Sequence, residues 1–186
     1  MLIKSCMLSF WKRIDPIYFA CSRLTYIVDS NQNRTVLRAR LTKYKGATVV
    51  LSDGTVLQKN DVLLKIHLHN VKLLKELSTV TNDIKRAVFI YHIIKQAMPS
   101  LAMYIQSHPS NEKVKGVIGI TNLSRGAERL GFEKAPLKNA LYRFFKQVTL
   151  LPINLFTGTK KINPVYLFMS KRKLLTIYAS EESIKP

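Results

Sequence analysis

The sequence predicts a single α+β domain over residues 1–186, with a mainly antiparallel or mixed sheet, an amphipathic N-terminal helix and several packed helices. Hydrophobic residues make up 47% of the 186 residues, which is enough to bury a core. Alternating segments typical of strands occur early in the chain, and segments of helical periodicity follow them. This mixture of periods favours the α+β class over an all-helical or an all-strand fold.

The first predicted element is an amphipathic helix over residues 2–27. Apolar side chains such as Trp11 and Tyr18 fall on one side at helical spacing, and basic side chains fall opposite. The Asp15-Pro16 pair predicts a kink or a restart, because Asp is a good N-cap and Pro suits a first helical turn. Such a helix either covers the core or lies on a membrane interface, and the pattern leaves both open.

The α+β body is expected at 34–175, and a flexible tail at 176–186. Alternation predicts strands at 34–44 and 62–69, and short apolar segments predict further strands at 48–51, 114–120 and 165–169. An Asp53-Gly54 hairpin turn, with positive φ at both central residues, is expected after the second of these strands. Helical periodicity predicts helices at 71–78, at 82–107 with a break near Pro99, at 123–130 ending at Gly131, and at 137–150.

Basic side chains dominate the charge balance, with 30 Lys and Arg against 11 Asp and Glu and a formal net charge of +19. A field of this sign attracts phosphates, anionic lipids and acidic polymers, and it does not choose among them. Cys6 and Cys21 are too few for a disulfide framework or a four-cysteine zinc site. No transmembrane helix or signal peptide is predicted, so we expect a cytoplasmic protein, with the inner face of the membrane as a peripheral location.

The motif His67-Leu68-His69-Asn70 is the first candidate site. Residues two apart on a strand face the same way, so both imidazoles are expected on one surface beside Lys65. His67 and His69 are candidate general bases, because histidine titrates near neutral pH. A polar sheet face with ordinary hydrogen bonds and an anion contact are the alternatives. Metal binding by the two histidines is a further alternative, for which Asp61, His92 or His108 would have to supply a third ligand, since catalytic zinc usually has about three. The sequence points to none of these as a ligand, and no metal and no cofactor is predicted.

Two further groups complete the candidate ligand-binding residues. Arg38 and Arg40 follow one face of the first long strand, which favours a polyanionic ligand if that strand neighbours the histidine strand, or else a solvated basic face. Thr121 and Asn122 precede a predicted helix start, where free N–H groups suit an anion. Arg125 in that first turn fits either an anionic partner or an ion pair with Glu128. The candidate ligand-binding residues are Arg38, Arg40, Lys65, Asn70, Thr121, Asn122, Arg125 and Glu128.

Several short segments together resemble the YkoP-like domain family of Bacillus-type bacteria, over about residues 7–175. The resemblance implies work near the cell envelope, since similar domains occur fused to polysaccharide deacetylases. It carries over no catalytic residue and no cofactor. The segments are Asp15-Pro16-Ile17-Tyr18, Leu41-Thr42-Lys43-Tyr44-Lys45-Gly46, Leu51-Ser52-Asp53-Gly54, Lys65-Ile66-His67-Leu68-His69-Asn70, Gly119-Ile120-Thr121, Arg129-Leu130-Gly131-Phe132 and Tyr166-Leu167-Phe168-Met169-Ser170-Lys171.

Three functional hypotheses follow. The first is a membrane-proximal accessory domain that binds an anionic or carbohydrate-linked component of the envelope, with an anionic membrane surface or an envelope polymer or precursor as its partner. The second is a small transferase or hydrolase on a phosphorylated or lipid-linked envelope substrate, in which His67 or His69 is the base and Arg125 holds the anionic group. The third is nucleic-acid binding, which rests only on the sequence pI of about 10.1.

Overall fold

A six-stranded mixed sheet organises the protein, with the strand order β1-β2-β5-β6-β8-β7. A computed structural model describes residues 22–77, 80, 82–122, 124, 126–137, 147 and 164–179, together with 13, 16, 19 and 20. The strands are β1 (Thr25–Val28), β2 (Arg34–Lys43), β3 (Val49–Val50), β4 (Val56–Leu57), β5 (Val62–Leu68), β6 (Val114–Thr121), β7 (Glu133–Pro136) and β8 (Val165–Ser170). The helices are α1 (Asn70–Leu77), α2 (Asp83–Ser107) and α3 (Lys171–Tyr178), with 3₁₀ turns at Asn111–Lys113 and Glu128–Leu130.

All neighbouring strands of this sheet run antiparallel except β5 and β6, which are parallel. A parallel pair requires a long crossover, and helices α1 and α2 supply it. The mixed sheet and the α+β class are therefore confirmed. Strands β3 and β4 form a separate two-stranded hairpin.

The main core lies on one side of the sheet, which we call the helix face. Helix α2 contacts β1, β2 and α3, and α3 contacts β6 and β8. Because strand side chains alternate, Leu37 and Ala39 of β2 reach this core together with Leu64 of β5. The buried residues of α2 in the core are Ile90, Ala97, Met98, Leu101, Ala102 and Ile105.

A second, smaller core lies on the opposite side of the sheet, which we call the groove face. The β3–β4 hairpin folds onto this face. Its Leu51 and Leu57 pack with sheet residues Leu63, Ile118 and Phe168, and with Tyr44, to form this cluster.

The first predicted helix is wrong at its C-terminal end, where strand β1 forms instead. Residues 25–27, assigned to a helix over 2–27, belong to a strand that pairs with β2. Arg23 has a φ of 50°, which is incompatible with a continuing right-handed helix. The β-branched residues that follow favour a strand, and Ile27 is buried in the core. The rest of this prediction, including the Asp15-Pro16 kink and the amphipathic faces, falls in residues 2–21, most of which lie outside the part of the chain that the structure describes.

Helix α2 passes through Pro99 without the predicted break. A proline inside a helix removes one hydrogen bond and crowds the preceding turn. Here Met98 and Leu101 on either side of it are buried, and this packing offsets the cost. Asn82 starts the helix by accepting hydrogen bonds from the N–H groups of Ile84 and Lys85.

The second half of the chain differs from the prediction at several boundaries. Residues 124, 126 and 127 are not helical, and only a 3₁₀ turn precedes Gly131, which ends it with the predicted left-handed φ of 88°. The predicted tail from 176 begins inside α3, where Tyr178 is buried and donates a hydrogen bond to the carbonyl of Leu130. Strand β7 and helix α3 were not predicted. The predicted helix 137–150 lies outside the described residues, except for 137 and 147.

Candidate anion-binding groove

Basic residues of two neighbouring strands meet on the groove face. In the register of β2 and β5, Arg40 lies opposite Lys65, and Arg38 lies opposite His67. The predicted neighbourhood of the two strands is therefore observed. Because side chains two apart share a face, all four residues point to the same side of the sheet.

A groove of about 620 Å³ opens above this face, between the sheet and the loop that leads into β3. Arg40 and Lys65 form its basic side, and Ile118 and Tyr166 lie across from them. We call this feature the groove throughout. Its described lining residues are Arg40, Thr42, Lys43, Tyr44, Lys45, Gly46, Ala47, Thr48, Val49, Lys65, Ile118, Ile120, Ala135, Pro136, Tyr166 and Phe168.

The loop wall of the groove is built on the ring of Tyr44. The Tyr44 hydroxyl donates a hydrogen bond of 2.8 Å to the carbonyl of Ala47. Gly46 lies so close to this ring that a Cβ there would collide with the hydroxyl. A glycine therefore lets the loop close over the tyrosine.

Arg40 lines the groove and uses little of its hydrogen-bonding capacity within the protein. Its Nη1 donates to the carbonyl of Ser22 at 3.1 Å, while its Nε is buried and has no hydrogen-bond partner. Within the described part of the chain, Arg40 also forms no ion pair. A buried N–H without a partner costs roughly 1–3 kcal/mol, and like charges directly across a strand pair repel. An anion beside Arg40 and Lys65 would offset the repulsion between them.

Two tyrosines add neutral hydroxyls to the groove. Burial raises the pKa of Tyr44, and the nearby Tyr166 raises it further. Burial also raises the pKa of Tyr166. Both phenols are therefore protonated at neutral pH. Tyr44 already donates its hydrogen bond to the carbonyl of Ala47, so its oxygen can only accept from a ligand, whereas Tyr166 can donate. The ring of Phe168 packs against both tyrosine rings. Its centroid lies 5.7 Å from that of Tyr44 and 5.5 Å from that of Tyr166.

Arg38 lies on the same face but has a different environment. Only 1% of its surface is exposed, and its Nη2 donates a 2.8 Å hydrogen bond to the hydroxyl of Tyr26. Its guanidinium lies 4.7 Å from the ring centroid of Tyr26 and 5.0 Å from that of Phe19. These contacts make Arg38 a packing residue of the sheet.

The two histidines lie near Arg38 and do not line the described groove. The His69 ring makes an edge contact with Tyr26, at 5.5 Å between ring centroids. The backbone N–H of His69 donates a hydrogen bond to the backbone carbonyl of Val36. His67 is half-buried opposite Arg38. Among the residues that the structure describes, no group of three His, Cys, Asp or Glu side chains could hold a metal ion.

The predicted helix-start site is not formed as expected. Strand β6 continues to Thr121, Asn122 lies in the bend after it, and the first helical turn begins only at Glu128. Arg125 lies outside the described residues. Glu128 forms a 3.1 Å ion pair with Lys134 on β7. Asn70 begins α1, at the far end of β5 from the groove.

Sequence reasoning missed the groups that hold the hairpin over the sheet, which we call the hairpin clamp. Ser170 Oγ donates a 2.5 Å hydrogen bond to Asp53 Oδ2 and accepts one from the N–H of Lys173. Glu133 accepts from Ser52 Oγ at 2.6 Å and lies 3.5 Å from the Lys173 ammonium. The clamp residues are Ser52, Asp53, Glu133, Ser170, Arg172 and Lys173.

The clamp changes the titration of Asp53. Burial by itself raises the pKa of this carboxyl, but the hydrogen bonds from Ser170 and Thr55 outweigh it, and the pKa falls to about 2. The guanidinium of Arg172 contributes to this lowering of the pKa. Asp53 therefore carries a full negative charge at neutral pH. Only Gly54 of the predicted Asp53-Gly54 turn has a positive φ, of 83°.

Comparison with known proteins places the whole chain in a family. A family model described as the YkoP domain matches residues 4–178. The protein described as "Uncharacterized protein YkoP" from Bacillus subtilis (strain 168) is 48% identical over 186 residues, covering 97% of this chain and 100% of that protein. No solved structure matches. A search of the described helices found none that is both long and apolar enough to cross a membrane.

Proposed function

The chain belongs to the YkoP domain family, and we propose that it is a binding domain that takes a small anionic ligand into the groove. The observation that carries the proposal is Arg40, a half-buried cation that lines the groove, lies opposite Lys65 and forms no ion pair within the described part of the chain. A carboxylate or phosphate there would accept charge-assisted hydrogen bonds from the guanidinium.

We propose a carbohydrate-linked phosphate or carboxylate from the cell envelope as the ligand class. A volume of about 620 Å³ lies in the usual range for small-molecule sites and suits one or two sugar rings better than a polymer. Thr42, Tyr44 and Tyr166 supply hydroxyls to such rings. The envelope connection rests on the resemblance to domains fused to polysaccharide deacetylases. In this proposal the protein works in the cytoplasm, at the anionic inner face of the membrane.

Binding is favoured over catalysis because of where the histidines lie. His67 and His69 are not among the described groove-lining residues, and the guanidinium beside His67 is enclosed by aromatic rings. A transferase or hydrolase would need its base next to the bound anion. We therefore propose binding without turnover. Incubation with glucose 1-phosphate, followed by phosphorus NMR, would contradict this by showing its conversion.

Calorimetric titration with glucose 1-phosphate, inorganic phosphate and glucose tests the proposal. We expect the sugar phosphate to bind more tightly than either part alone. Arg40→Gln should raise its Kd at least about tenfold, because a charge-assisted hydrogen bond contributes roughly 1.5–3 kcal/mol. Lys59→Gln is the matched control, since it removes an exposed positive charge outside the groove lining. Equal Kd values for Arg40→Gln and the wild type, or no binding of either phosphate, would refute the anion site.

A further inference from the structure

Helix α2 carries exposed apolar residues that share one arc of its surface. Ile84, Val88 and Met103 are 75%, 50% and 41% exposed, although their helix packs along the main core. At about 100° per residue, these positions fall within one arc of the helix surface. Exposed Lys85 and Lys95 fall within the same arc. We call these five residues the α2 stripe.

The stripe combines apolar and positive groups without negative ones. Residues 84–107 contain no Asp or Glu. Lys85 and Lys95 form no ion pair within the described part of the chain. Long lysine side chains can lay their methylenes along apolar neighbours and extend the ammonium to an anionic layer. Single exposed apolar residues are ordinary on a protein surface, but a row of them flanked by lysines is typical of helices that bind membranes.

We propose that the α2 stripe docks the protein on an anionic lipid bilayer. Ile84 and Val88 would enter the headgroup boundary, and Lys85 and Lys95 would contact lipid phosphates. The positive charge favours any anionic partner, and the exposed apolar residues beside the lysines select a bilayer among them, because a bilayer offers a negative surface with an apolar layer beneath it. The inference rests on the membrane association in the proposed function and is independent of the ligand in the groove.

Docking in this way fixes the orientation of the groove. Helix α2 packs on the helix face of the sheet, and the groove opens on the opposite face. A protein held by the α2 stripe therefore turns its groove away from the bilayer. A ligand would reach Arg40 from the aqueous side while the protein stays bound.

Vesicle flotation tests the docking surface. The probes are vesicles of phosphatidylcholine with 30% phosphatidylglycerol, taken as roughly the anionic content that attracts basic segments, and vesicles of phosphatidylcholine alone. We expect the full-length protein to float only with the anionic vesicles. Ile84→Ser/Val88→Ser and Lys85→Gln/Lys95→Gln should each weaken partitioning about tenfold or more. Val50→Ser is the control, because Val50 is 66% exposed on the hairpin.

The outcomes separate this inference from the proposed function. Flotation by the wild type and by Val50→Ser, but not by Ile84→Ser/Val88→Ser, supports the α2 stripe. Equal flotation of all variants overturns it and leaves membrane association to another segment. No flotation of the wild type refutes the association itself. A wild-type dimer that Ile84→Ser/Val88→Ser converts to a monomer in light scattering would assign the stripe to a second copy and overturn the lipid proposal. Calorimetric titration of Arg40→Gln with glucose 1-phosphate tests the groove separately.

Discussion

Arg38 and Arg40 have equivalent positions in the strand pattern but different environments in the structure. They lie two apart on β2 and point to the same side of the sheet, so the sequence treats them alike. Arg38 is 1% exposed and enclosed by the rings of Tyr26 and Phe19, whereas Arg40 is half-buried and lines the groove. Substituting Arg38 would therefore test the packing of the sheet, and only Arg40 tests ligand binding.

Two glycines of β6 offer a matched comparison at the same scale. A Cβ on Gly116 would lie 2.5 Å from the carbonyl oxygen of Met169 on β8, so Gly116→Ala must push two strands apart. A Cβ on Gly119 would meet the Ile66 side chain at 3.4 Å and Cβ of Leu167 at 3.8 Å, which are ordinary van der Waals contacts. We expect Gly116→Ala to lower the free energy of unfolding by about 1–3 kcal/mol, the usual cost of overpacking.

Urea denaturation followed by circular dichroism measures this difference. Gly119→Ala is the control, and its free energy of unfolding should stay within about 0.5 kcal/mol of the wild type or rise slightly, because alanine restricts the unfolded chain. Equal stabilities for the two variants would mean that β6 and β8 are not as close at Gly116 as the register indicates.

At the scale of elements, the β3–β4 hairpin depends on the sheet beneath it. Two strands of two residues each are too short to be stable alone. Leu51 and Leu57 pack on the groove face, and the hairpin clamp joins the turn to β7 and to the start of α3. The clamp thereby holds in place the hairpin that follows the loop wall of the groove.

Asp53→Asn tests the clamp through its pH dependence. The folded pKa of Asp53 is about 2, below its ordinary value of 3.8. A lowered carboxyl pKa stabilises the folded state above about pH 4, and this stabilisation is lost as the pH falls toward about 2. After a discount for partial solvent exposure, we expect Asp53→Asn to lower the free energy of unfolding at pH 7 by about 1–2 kcal/mol.

Urea denaturation of both proteins at pH 7, 4 and 2 provides the measurement. The wild type should lose more stability on acidification than Asp53→Asn does, and the two curves should approach each other near pH 2. The pKa of Asp61 is lowered as well, but both proteins contain Asp61, so its effect cancels in the difference. Parallel pH profiles would show that Asp53 contributes no charge-dependent stability.

At the scale of the whole molecule, the net charge of +19 acts against the compact state. The described residues hold few ion pairs for so many cations. Self-repulsion is long-ranged at low ionic strength, where the Debye length is about 30 Å, and is screened at physiological salt, where it is about 8 Å. Raising NaCl from about 10 to 150 mM should therefore increase the Tm by about 2–4 °C, equivalent to roughly 1 kcal/mol.

Thermal denaturation in NaCl and in NaF distinguishes screening from anion binding. Screening depends on ionic strength alone, so both salts should raise the Tm equally. A Tm that stays constant or falls with salt would contradict the self-repulsion argument, and a shift confined to one anion would indicate specific binding instead.

The sequence by itself determined the family, the basic character and most of the sheet. Alternation located β2 and β5, because side-chain period follows from backbone geometry alone, and short apolar segments located β6 and β8. Alternation put Arg40 and Lys65 each on the polar face of its strand, and the pairing of the two strands joined those faces. It failed where context overrides local preference, as at residues 25–27, at Pro99 and in α3. Strand β1 depends on pairing with β2, and α2 continues through its proline because the surrounding core supports it.

Only the tertiary structure decided what covers each face of the sheet. The two-residue repeat of a β-strand assigns each side chain to a face of the sheet. It does not determine whether aromatic rings, a hairpin or water covers that face. The clamp joins Asp53 to Ser170 across 117 positions of the chain, and Ser52 to Glu133 across 81. No local signal specifies such pairs, because they form only when the whole sheet brings them together. The same assembly encloses Arg38 and leaves Arg40 at the groove.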